Sequence, residues 1–114
     1  EHKDENCELS VCIPSQVLVE FMNVITWTRL ESPLSLSDAK FVVEYYLNSD
    51  AEIIYPKPTQ LITLLNLLDS VKSRKKVFDV ALAATLKDNG IQGLYTVNTN
   101  DFDEFAFLEV KNPL

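Results

Sequence analysis

Histidine, glycine and cysteine are nearly absent from this 114-residue chain, which has one, two and two of them respectively. The lone histidine, His2, lies in a polar N-terminal segment. A Ser-His-Asp arrangement, imidazole acid-base catalysis and a histidine metal site are therefore not expected. Gly90 and Gly93 sit together near a helix end, so no glycine-rich dinucleotide or phosphate loop can be built from them. Cys7 and Cys12 match no metal or redox spacing and read as free thiols. No apolar run approaches the ~20 residues that cross a bilayer. The opening Glu-His-Lys-Asp-Glu lacks the basic flank and apolar stretch of a secretory signal. These absences predict a cytoplasmic protein with no membrane association. Basic residues are also scarce, 10 against 17 acids, for a net charge of -7. That deficit argues against a protein that coats nucleic acid, which needs a broad basic surface. An acidic metal pocket with a local basic rim remains open.

What is present suits one folded domain over residues 1–114, with 46% hydrophobic and 24% charged residues. Leu9 to Ile13 reads as a strand stopped by Pro14. Ser15 is placed to cap a helix running to about Arg29, with Val17, Leu18, Phe21, Ile25 and Thr28 on one face and Glu20 on its flank. Ser32-Pro33 breaks the chain. Ser37-Asp38, with Asp38 as a capping residue, opens a second amphipathic helix to about Asn48, and the two helices read as a hairpin. Glu52 to Tyr55 is a short strand closed by Pro56 and Pro58. Thr59 then caps a leucine-rich helix. A helix over Val77–Asp88 ends at Asn89-Gly90, followed by a buried strand at Gly93–Val97 and a last strand at Leu108–Val110. Strands alternating with helices predict a parallel sheet covered on both faces, the three-layer α/β/α sandwich.

Carboxylate is the chemistry left in quantity. Asp79 lies near the start of the almost wholly apolar helix Val77-Phe78-Asp79-Val80-Ala81-Leu82-Ala83-Ala84. A charge in such a setting needs a cation or hydrogen-bond donors beside it, because burying it alone costs several kcal/mol or more. Asp101 follows the strand ending near Val97, and Glu20 sits on the helix after the first strand. Both can face the crevice beyond the carboxyl ends of the strands. Acids gathered there would repel one another unless a divalent cation is shared, and hard oxygen donors suit Mg2+ or Mn2+. Lys72-Ser73-Arg74-Lys75-Lys76 puts four positive charges directly before Asp79. It reads either as a solvated loop or as the rim that holds a phosphate backbone. Asp103 and Glu104 read as solvated acids at a helix start.

Ser15-Gln16-Val17-Leu18-Val19-Glu20-Phe21, Phe78-Asp79-Val80-Ala81-Leu82-Ala83-Ala84 and Leu94-Tyr95-Thr96-Val97-Asn98-Thr99-Asn100-Asp101-Phe102, in this order and at these separations, resemble the motifs of the PIN domain family, including the VapC-type toxin nucleases. The resemblance extends over nearly the whole chain. It implies the α/β/α sandwich, Mg2+ or Mn2+ as cofactor, and hydrolysis of RNA phosphodiester bonds. Glu20, Asp79 and Asp101 would be the catalytic, metal-holding acids, with Thr96 and Asn98 in supporting positions. Lys72, Arg74, Lys75 and Lys76 are the candidates for the RNA backbone.

The family pattern also has a central first strand ending in Asp, and nothing before Leu9 matches it. Residues 1–8 read instead as the end of the helix that would follow. An N-terminally incomplete domain is expected, or one whose sheet is completed by a second copy or another segment, because buried backbone groups require partners. The toxin branch implies an antitoxin partner, with Phe41, Val42, Tyr45 and Tyr46 as candidate contacts. A nuclease-inactive module that acts through assembly is the competing expectation, and a receiver-like signalling domain is a more distant third.

Overall fold

In the computed structural model the described residues are 2–3, 9–10, 12–72, 76–96 and 99–113. They form a mixed α/β chain with the strands β1 (His2–Lys3), β2 (Leu9–Ser10), β3 (Cys12–Pro14), β4 (Glu52–Ile54), β5 (Gly93–Tyr95) and β6 (Glu109–Lys111). The helices are α1 (Ser15–Ile25) and α2 (Leu36–Leu47) between β3 and β4, and α3 (Gln60–Leu68) and α4 (Val77–Asp88) between β4 and β5. A 3₁₀ turn, Thr99–Asp101, precedes β6.

Helix α4 organises the core. Its apolar residues continue around most of its circumference, and Val80, Leu82, Ala83, Ala84, Thr85 and Leu86 are all buried. A helix that is apolar on nearly every side is stable in water only when neighbours cover it. They do so here from both halves of the chain: Ile54, Leu67, Ile91, Phe102, Phe105 and Leu108 join the same cluster. Cys12, Leu94 and Val110 rest against it from β3, β5 and β6. Thr85 is satisfied in place, its hydroxyl lying 3.2 Å from the Ala81 carbonyl and 2.9 Å from Gln60 Nε2. The helix closes on a Schellman motif. Gly90 takes φ +72°, its N–H donates to the Lys87 carbonyl, and Ile91 N–H donates back to the Leu86 carbonyl at 2.9 Å.

The strands form three separate two-stranded ladders. β1 and β2 are antiparallel. β3 and β4 are parallel, with Cys12, Ile13 and Pro14 opposite Glu52, Ile53 and Ile54. β5 and β6 are also parallel, with Gly93, Leu94 and Tyr95 opposite Glu109, Val110 and Lys111. Among the described residues no ladder joins the two parallel pairs. Each spans three residue pairs, and they meet through side chains on α4.

Several sequence expectations need correction. Residues 2–3 are strand rather than a helix end, because their backbone pairs with Ser10 and Leu9. Helix α1 stops at Ile25, since the Thr26 hydroxyl donates to the Met22 carbonyl at 2.7 Å and Leu34 N–H returns to the Ile25 carbonyl. The N-cap of α1 is Pro14, so Ser15 is already helical. Helix α2 begins at Leu36 because Ser35, not Asp38, is its cap. The Ser35 hydroxyl accepts from Asp38 N–H at 3.0 Å. Thr59 makes no capping bond on α3, and its hydroxyl donates instead to Asp88. β5 is half-buried to exposed rather than buried, because its side chains meet α4 on one face only. Asp103 and Glu104 lie in a turn, and Glu104 is half-buried and accepts a bond from Lys72 N–H. No helix among the described residues is long and apolar enough to cross a membrane.

Candidate functional site

Asp79 is the third residue of α4 and is half-buried. The N-cap residue of this helix, Lys76, makes no side-chain capping bond. The first turn of the helix therefore offers the positive end of the helix dipole to a carboxylate. Asp79 N–H is itself taken by the Lys76 carbonyl at 2.9 Å.

Helix α1 is tied directly to this turn. Gln16 Nε2 donates to the Phe78 carbonyl at 2.9 Å, one residue before Asp79. Glu20 is four residues after Gln16, on the same side of α1 and about 6 Å further along its axis. It is exposed. The Gln16 anchor was not recognised from sequence, although its i, i+4 relation to Glu20 was the available signal.

Asp101 closes the 3₁₀ turn and is half-buried. The turn is fixed from below by Phe102 and Phe105, which are buried against α4 with ring centroids 6.3 Å apart. It is fixed from the side by the carboxylate of Glu104, which accepts from Lys72 N–H at 2.7 Å. Lys72 is four residues before the N-cap of α4. The chain just after Asp101 is thus held to residue 72. Glu104 contributes this contact by position, and its acidic type alone did not reveal it. Thr96 is half-buried, and its N–H donates to the Lys111 carbonyl at 2.9 Å, extending the β5–β6 pairing toward the turn. Lys72 and Lys76 are exposed. Arg74, Lys75 and Asn98 lie outside the described residues, as do Cys7 and Val97.

Asp79 offers carboxylate oxygens at this end of α4, the type that suits Mg2+ or Mn2+. Among the described residues, no three His, Cys, Asp or Glu side chains form a group able to hold a metal ion.

Two further features lie apart from these acids. Cys12 is a free thiol whose Sγ–H points to Glu52 Oε1 at 3.8 Å. Burial first, then the Glu52 charge, pushes its pKa up. On α2, Phe41, Tyr45 and Tyr46 are exposed and Val42 is half-buried. Phe41, Glu44, Tyr45, Asn48, Ser49 and Asp50 line an open hollow of about 680 Å³. No protein-family model matches the chain, and no curated protein matches it either.

Proposed function

We propose that this chain is a metal-dependent ribonuclease domain of the PIN type, hydrolysing RNA phosphodiester bonds. In this reading the two parallel strand pairs belong to one sheet of a three-layer α/β/α sandwich. One observation carries it. The helix with Glu20 is hydrogen-bonded to the first turn of α4, and Glu104, three residues after Asp101, accepts a bond from Lys72 N–H. The first bond joins the helix of Glu20 to the turn of Asp79, and it is the observation that favours a shared role for these two acids. The shared contact of Cys12, Ile54, Leu94 and Val110 with the α4 cluster supports a common sheet.

Glu20, Asp79 and Asp101 would hold Mg2+ or Mn2+. When bound, such an ion supplies an activated water and neutralises charge on the leaving oxygen. The chain's own residues do the positioning. The first turn of α4 offers its positive dipole end to the Asp79 carboxylate, Gln16 fixes α1 against that turn, and Phe102 and Phe105 hold the Asp101 turn from the core side. Lys72 and Lys76, with Arg74 and Lys75, attract the RNA backbone toward the acids. If the chain belongs to the toxin branch, an antitoxin covers the acidic crevice and meets the aromatic face of α2.

Incubation of labelled RNA with the protein and Mn2+ tests the reading. Cleavage is expected, with loss on chelation and in Asp79→Asn. Undiminished cleavage by that variant would remove Asp79 from the site. The second reading is a module that acts by assembly, favoured by the exposed apolar residues of α2 and α3. It predicts a complex by native mass spectrometry and no metal-dependent cleavage.

A further inference from the structure

Asn89-Gly90, the sole Asn-Gly pair in the sequence, ends α4. Such a pair can modify itself in water. The Gly90 backbone nitrogen attacks Asn89 Cγ, the new N–C bond forms as the Cγ–Nδ2 bond breaks, and ammonia leaves carrying the amide proton relayed by solvent. Water then opens the cyclic imide at either carbonyl and leaves aspartate or isoaspartate. Glycine favours the attack because no Cβ shields its nitrogen and its backbone turns freely.

The fold holds this pair away from the reaction in three ways. Asn89 has φ -95° and ψ 8°, which eclipses Gly90 N with Asn89 N and directs it away from the Asn89 side chain. Ring closure requires ψ to swing far from this value. Gly90 N–H is held in place by the Lys87 carbonyl at 3.0 Å. Both hydrogens of the Asn89 amide are engaged as well, Nδ2 donating to the Thr85 carbonyl at 2.8 Å and to the Tyr55 carbonyl at 3.0 Å. The Tyr55 bond is the unusual one. Asn48 ends α2 with nearly the same backbone, φ -99° and ψ 3°, and bonds the Glu44 carbonyl four residues back just as Asn89 bonds Thr85. That cap is local. At Asn89 the second hydrogen reaches 34 residues back and ties the chain just after β4 to the end of α4.

We propose that Asn89-Gly90 is a fold-gated deamidation site, closed while Asn89 holds Tyr55, used when that joint opens, and unable to re-form the joint once modified. This inference is independent of the nuclease reading. The carboxylate produced has no hydrogen to give to either carbonyl, and it stands at the negative end of the α4 dipole next to Asp88. Lys87, the basic residue of the last turn, lies over the Phe107 ring, 5.6 Å from its centroid. Isoaspartate also lengthens the main chain by a methylene, which shifts the Gly90 and Ile91 N–H groups off the carbonyls they close on. Modified molecules therefore accumulate with age, each with the end of α4 released from β4.

Timed incubation of the intact protein at mildly alkaline pH, read by mass spectrometry of the peptide containing Asn89 and by isoaspartate labelling, tests the inference. The folded chain should convert more slowly than the same chain in urea by about tenfold or more, since opening must precede attack. Thr63→Val removes a bond to Asp88, beside the site, and should convert several-fold faster than wild type while circular dichroism shows it folded. If that variant does not fold, wild type in urea below the unfolding midpoint supplies the same loosening. Asn89→Asp should speed hydrogen exchange at the Gly90 and Ile91 N–H groups and leave Phe105 N–H as in wild type. Equal rates in the folded and unfolded chain, or no acceleration on loosening, overturn the gate. Absence of conversion in urea removes the site, and unchanged exchange in Asn89→Asp overturns the loss of the joint.

Discussion

Asp88 joins α3 to the end of α4, and removing its carboxylate should cost about 2 kcal/mol. It is the last residue of α4 and is half-buried. Its two oxygens accept separate bonds, from the Thr59 hydroxyl at 2.9 Å and from the Thr63 hydroxyl at 2.6 Å. Hydrogen bonds to a charged group contribute ~1.5–3 kcal/mol each, and partial exposure argues for the lower end, or about 3 kcal/mol for the pair. Two terms act in the other direction. A negative charge at a helix C-terminus opposes the dipole by ~0.5 kcal/mol. Alanine is a better helix former than aspartate by ~0.5 kcal/mol. The net loss for Asp88→Ala is therefore about 2 kcal/mol, or ~8 °C in melting temperature for a domain of this size. Urea unfolding of wild type, Asp88→Ala, Thr63→Val and the double variant separates the bond from the other terms. A coupling of at least ~0.5 kcal/mol between the two sites is expected. If Asp88→Ala is as stable as wild type, or the coupling is zero, the α3–α4 joint is apolar packing alone and this reasoning fails.

Other perturbations are equally direct. Phe105, 1% exposed, should lose ~3–5 kcal/mol on truncation to alanine, measured by denaturant midpoint. A loss below ~1 kcal/mol would contradict its central position. Gly90→Ala should cost about 1 kcal/mol through its positive φ alone, because nothing lies within 4 Å of the added Cβ. Gly93→Ala, which meets only the Glu109 carbonyl oxygen at 3.9 Å, carries no comparable steric penalty. Cys12 should alkylate more slowly than a free thiol near pH 8, and Glu52→Gln should speed it by lowering the raised pKa. In stability terms, a thiol held neutral contributes fully below its unfolded pKa, and the contribution fades as pH rises through the higher folded value. Mass mapping of the labelled Cys12 peptide reads the rate. An unchanged rate in Glu52→Gln would remove the carboxylate as a cause.

The elements legible in the sequence were those whose signal is local and one-dimensional. Helix α4 was bounded at Val77 and Asp88 because its apolar run stops at Asn89-Gly90, and Gly90 supplies the conformation that ends it. Strand β4 was marked by Pro56. Ends set by long-range or competing bonds were less visible. Thr26 could have continued α1, and only the returning Leu34 N–H shows why it does not. Ser35 and Ser37 are equally good caps by type, and geometry chose Ser35. Strand pairing is a property of segments far apart, so the pairing of β3 with β4 and of β5 with β6 left no trace in alternation or length. At the candidate site the sequence offers Glu20, Asp79 and Asp101 by type and order alone. The side chains that fix their elements, Gln16 and Glu104, were not legible, because a glutamine near a helix start and a glutamate in a turn have many ordinary roles.

The two parallel ladders differ in how far the chain travels to close them. Cys12 pairs with a residue 40 positions later, whereas Gly93 pairs after about 16. Loop-closure entropy makes the longer excursion about 0.8 kcal/mol more costly before any packing is gained. Residues 60–111 also supply most of the cluster around α4. The carboxyl-terminal half is therefore expected to condense first as a template, and the amino-terminal strand and helical hairpin to dock on it afterwards. Pulse-labelling hydrogen exchange during refolding should find amides of α4 and β5 protected before those of β3 and α1.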